Sequence, residues 1–112
     1  MKREKYIRVP KDKRAMENYE YGIKKEEQIE EMILSEEQYY RLNELGLFRV
    51  INEECDIIID EYEEEVLELD KIPIALRIVT ELLEKNKSEE LLELKKMLNL
   101  ALINKTIVGF DF

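Results

Sequence analysis

The chain has 112 residues, enough for one domain and too few for two with independent cores. Its 18 Lys and Arg against 27 Asp and Glu leave a net charge of −9, yet 45% of residues are hydrophobic, so the acidity does not mean disorder. Composition also trims the chemistry: no histidine, one cysteine and three scattered glycines exclude a Ser-His-Asp or Cys-His nucleophile, a conventional zinc site, an internal disulfide and a phosphate-cradling loop.

In chain order, Met1-Lys2-Arg3-Glu4-Lys5 is followed by no apolar h-region, so no secretory signal is expected and the predicted location is the cytoplasm. No apolar window reaches membrane-span length. Tyr6-Ile7-Arg8-Val9 alternates like a short strand and stops at Pro10, within a basic N-terminal arm covering residues 1–25. Lys13 to Tyr21 is compatible with a helix that turns Ala15, Met16 and Tyr19 inward. Ile29 to Leu34 reads as a strand. Ser35-Glu36-Glu37-Gln38 is a capping-box pattern that opens a helix through Tyr39, Leu42 and Leu45, with Gly46 as its left-handed stop. Of the pair Tyr39-Tyr40, one must point away from the core that the other fills. A helical turn from Leu47 to about Glu54 follows.

The second half is mostly helix. Asp70 is the predicted N-cap of a helix with Pro73 in its first turn and an apolar stripe at Ile72, Leu76, Val79 and Leu83. Ser88 opens another, with Glu89 and Glu90 near its positive end and Leu91, Leu94, Leu98, Ala101 and Leu102 on one face. The short link Lys85-Asn86-Lys87 predicts an antiparallel helical hairpin. Thr106 to Phe112 is β-branched and aromatic and closes the chain as a strand. The expected architecture is a single α+β domain, a small, mainly antiparallel sheet packed by about four helices.

Charge is distributed unevenly. Residues 1–25 carry +5, residues 26–70 carry −15 and residues 71–112 carry +1. The acidic middle peaks at Asp56 to Glu68, where three isoleucines precede Asp60, Glu61, Tyr62, Glu63, Glu64 and Glu65. Carboxylates on one ridge would generate several kT of negative potential and attract a basic partner, and Tyr62 among them suits a contact surface. Asp56, Asp60, Glu61, Tyr62, Glu63, Glu64, Glu65 and Glu68 are therefore the candidate partner-binding residues. The same run fails as a calcium loop, since Ile58 and Glu61 stand where a ligand and a glycine are required. The basic arm invites a nucleic-acid reading, but no recognised motif accompanies it and the neighbouring acidic segment would repel a duplex. Docking of the arm on that acidic segment is the favoured alternative.

Leu45-Gly46-Leu47-Phe48 leading to Ile51-Asn52, the Asp60-Glu61-Tyr62-Glu63-Glu64 run, the amphipathic hairpin and the closing Val108-Gly109-Phe110-Asp111-Phe112 together resemble the small acidic immunity proteins of bacterial toxin–immunity systems, including contact-dependent growth inhibition. The resemblance runs from about Met32 onward and does not account for the basic arm. It implies a cytoplasmic protein that binds and blocks one cognate toxin domain, often a nuclease with a basic groove. The expectation is thus a non-catalytic, inhibitor-type protein binder without cofactor or metal, engaging neither nucleic acid nor membrane. The alternative is a structural or adaptor protein assembling through its helix faces, for instance as a homo-oligomer.

Overall fold

Alternation in the N-terminal segment builds the first strand, β1 (Lys5–Pro10): Lys5, Ile7 and Val9 are buried while Tyr6 and Arg8 are half-buried on the opposite face. The structure, a computed structural model, describes residues 4–112, so Met1, Lys2 and Arg3 of the basic arm lie outside the described residues. Helix α1 (Lys13–Glu20) begins where the Asp12 carboxylate accepts from the Ala15 amide at 2.8 Å. Strand β2 (Ile29–Leu34) then returns antiparallel to β1, with Lys5 opposite Leu34 and Ile7 opposite Met32.

Helix α2 (Glu36–Glu44) has the anticipated capping box: the Gln38 amide donates to Ser35 Oγ at 3.2 Å and the Ser35 amide donates to Gln38 Oε1 at 2.9 Å. Gly46, at φ 81°, provides the left-handed residue that lets α3 (Leu47–Cys55) start at once. Strand β3 (Glu64–Leu67) emerges from the acidic run, and α4 (Ile72–Lys85) and α5 (Glu89–Asn104) form the hairpin, joined by Asn86 to Ser88. Strand β4 (Val108–Asp111) ends the described elements. Asp70 is not the N-cap of α4. It sits in a 3-10 turn, Leu69–Lys71, which leads straight into the helix through the Lys71 amide bonded to the Glu68 carbonyl at 2.9 Å, and no side chain caps α4.

The strands form one antiparallel sheet in the order β2-β1-β4-β3. The basic N-terminal segment therefore supplies an interior strand. One sheet face, with Ile7, Met32, Leu34 and Phe110, packs under α2 to α5. There the Tyr39 ring stacks on Phe48 at 5.3 Å between centroids, and Phe112 meets both rings edge-on at 5.3 Å. Leu91, Leu94, Leu98 and Ala101 of α5 are all buried in this chain's own core. The opposite face is covered in part by α1, where Tyr19, Ile29 and Ile107 make a second small cluster. Among the described residues, no helix is long and apolar enough to cross a membrane.

Gly109 is where that second cluster closes, because a Cβ there would overlap the Tyr19 ring and hydroxyl. Gly109→Ala is expected to lower unfolding free energy by about 1–3 kcal/mol through overpacking, read from urea denaturation. Tyr19→Leu in the same chain should recover part of that loss.

Candidate protein-binding surface

The acidic segment leaves α3 through a sharp reversal. Asp56 takes the left-handed conformation (φ 55°, ψ 49°) at the helix C-terminus, and Asn52, one turn earlier, reaches over the exiting chain. Its carboxamide oxygen accepts from the Ile59 amide at 2.7 Å and its nitrogen donates to the Ile59 carbonyl at 3.1 Å. A side chain thus replaces a neighbouring strand for one residue of the loop. Of the three isoleucines, only Ile59 is a fully buried anchor. Ile57 is half-buried and Ile58 is 66% exposed.

Beyond Ile59 the chain turns again. Asp60 accepts from the Glu61 amide at 2.8 Å, and Tyr62 has a positive φ of 66° with its side chain 69% exposed. Beneath this turn lies the Lys5 side chain, fully buried. Its ammonium is 3.3 Å from Glu61 Oε2, 4.7 Å from the Tyr39 ring centroid and 5.6 Å from that of Tyr62. An ammonium held between rings and a carboxylate regains part of the hydration it has lost. Tyr40, on α2, is 47% exposed and meets the Tyr39 ring edge-on at 5.5 Å. The Glu61 charge, ahead of burial, raises the Tyr40 phenol above its ordinary value. Tyr39 is pushed up to about 12, chiefly by burial, with the nearby charges of Glu61 and Asp60 adding to it.

The predicted residues do not share one ridge. Asp60, Glu61, Tyr62 and Glu63 stand together at the turn. Asp56 lies back at the end of α3, and Glu68 lies exposed beyond β3. Strand alternation sends Glu64 and Glu65 to opposite faces. Glu64 pairs with Lys24 at 2.7 Å. Glu65 folds back to accept from the Ile58 and Val66 amides, each at 3.0 Å. Among the described residues, two of the eight candidates are therefore paired with lysines of the first 25 residues, Glu61 with Lys5 and Glu64 with Lys24. The basic segment does dock on the acidic one, as an interior strand plus the Lys24 contact.

Sequence reasoning missed Lys5, Asn52 and Ile58 as parts of this surface. Between the turn and the two helices α2 and α3 runs an open groove of about 420 Å³, lined by Tyr39, Asn43, Arg49, Glu53, Ile58 and Asp60 among others. Among the described residues, no cluster of cysteine and carboxylate side chains is arranged to hold a metal ion. Comparisons with family models, with curated proteins and with solved structures find no match to this chain.

Two consequences are measurable. Asn52→Ala removes both bonds to Ile59 and should cost about 1–3 kcal/mol of stability, with faster amide exchange at Ile59 ahead of the helices. Tyr39 titrates higher in the folded than in the unfolded chain, so its contribution to stability is complete below pH 10 and is lost as pH rises toward about 12. Denaturant midpoints followed across that window should fall less steeply in Tyr39→Phe than in the wild type.

Proposed function

We propose that the chain is a non-catalytic, immunity-like inhibitor that acts in the bacterial cytoplasm by binding and blocking a cognate toxin domain with a basic surface. The observation that carries this reading is the turn at Asp60 to Glu63: it projects carboxylates beside the exposed Ile58, Tyr62 and Tyr40 and is held from beneath by Lys5, Asn52 and Glu65. Exposed aromatic and aliphatic side chains amid charge make good interface anchors, since tyrosine offers contact area at low entropy cost. A loop already fixed in shape forfeits little ordering entropy on binding. The net charge of −9 adds long-range attraction for a cationic target.

The partial neutralisation of the acidic run sharpens the interface. Glu61 and Glu64 are committed to Lys5 and Lys24, so the carboxylates offered outward at the turn are chiefly Asp60 and Glu63. Asp60→Asn together with Glu63→Lys keeps the acceptor for the Glu61 amide and reverses the outer charge. Against the cognate toxin domain, this variant should associate about tenfold more slowly at low salt, with an unchanged unfolding midpoint. The same on-rate as the wild type would remove the turn from the interface.

A further inference from the structure

The two edges of the sheet are treated differently, and hydrogen-bond direction shows how. In an antiparallel ladder, alternate residues point their N–H and C=O toward a given neighbour. The Phe112 amide bonds to the Glu63 carbonyl at 3.1 Å, and the Lys11 amide bonds to the Gln28 carbonyl at 2.9 Å. Propagating both along the uninterrupted registers gives one consistent pattern: Glu63 and Glu65 face β4, and Glu64 and Val66 face the outer edge. Likewise Glu30, Met32 and Leu34 face β1, and Ile29, Glu31 and Ile33 face away from it.

The β3 edge is closed by its own chain at Val66, while the outward Glu64 amide meets no acceptor among the described residues. The outward Val66 amide donates to Glu65 Oε1, and the other oxygen of that carboxylate holds the Ile58 amide of the adjacent loop. On β2 only the Ile29 amide is taken, by the Glu26 carbonyl. The outward amides of Glu31 and Ile33 meet no acceptor among the described residues, and Glu30, Glu31 and Ile33 are exposed. Such an edge is a template for one more strand.

We propose that this β2 edge receives an extended, lysine- or arginine-rich segment of a partner protein, which adds to the sheet as a further strand. Charge selects the occupant. Residues 26–37 carry Glu26, Glu27, Glu30, Glu31, Glu36 and Glu37 and no basic residue. Pairing β2 with the β2 of a second copy would bring twelve carboxylates together, whereas a cationic strand meets complementary charge on both sides of its backbone. Glu31 and Glu30 are already paired with Arg8 and Lys11, so the flanking carboxylates of Glu26, Glu27 and Glu36, which have no cationic partner among the described residues, keep the strand's surroundings acidic. This surface is distinct from the Asp60 to Glu63 turn.

The probe is a short peptide of alternating lysine and valine, added to the full chain and followed by residue-resolved amide exchange. Exchange at Glu31 and Ile33 should slow by about tenfold or more near saturation, with Val66 unaffected, and a threonine–valine peptide should protect the same amides less. The same peptide N-methylated at alternate residues keeps its charge and loses ladder bonds, so it should not protect them. No slowing at Glu31 and Ile33, equal slowing by the N-methylated peptide, or protection that appears without peptide as protein concentration rises would each overturn the proposal.

Discussion

The buried ammonium of Lys5 ties the two oppositely charged parts of the chain together. Placing a lysine with no exposed surface at the margin of an aromatic core is unfavourable unless its charge is compensated. Here the compensation comes from the Glu61 carboxylate and the faces of Tyr39 and Tyr62, which belong to α2 and to the acidic loop. Strand β1 consequently cannot take its interior position without drawing the turn at Asp60 to Glu63 down over it. Arg8, three residues on, does the same for the opposite face by bridging Glu31 of β2 and Asp111 of β4, each at 2.8 Å.

That coupling explains why so acidic a loop has a defined shape. Like charges would otherwise favour an expanded, mobile segment. Three features oppose this from different directions: Lys5 beneath, Asn52 from α3, and the Glu65 carboxylate turned back on the loop and the β3 edge. The carboxylates left facing solvent at the turn are few but fixed, which suits recognition more than a diffuse field would. The same Glu65 takes up the outward Val66 amide at the β3 edge, while the outward Glu31 and Ile33 amides of β2 meet no acceptor among the described residues.

The elements written in local chemistry were legible in the sequence. The Ser35 capping box, the left-handed Gly46, the Ser88 cap, β2 and the α4–α5 hairpin all follow from side chains acting on their own backbone within a few residues. The division of Tyr39 and Tyr40 into an inner and an outer ring also followed, because helical neighbours cannot share a face. Less visible were features made by distant partners. Nothing near Lys5–Pro10 says that it lies between β2 and β4. The acidic density of residues 60–65 hid the strand at Glu64–Leu67 and suggested a ridge that strand alternation divides. Asp70 had the right chemistry for a cap, but the preceding 3-10 turn moved the helix start past it. Asn52 carried no signal, since its role exists only once the loop folds back on α3.

The most direct test of this account is residue-resolved amide exchange in the wild type and in Lys5→Met. The decisive amides are Ile58, Ile59 and Phe112, whose acceptors on Glu65, Asn52 and Glu63 hold the loop to the rest of the molecule. If Lys5 presets the loop, their exchange speeds up by about tenfold or more in the variant while Ile7 and Phe110 at the sheet centre keep their protection. Unchanged exchange at those three amides, or an equal loss of protection throughout the sheet, would contradict it.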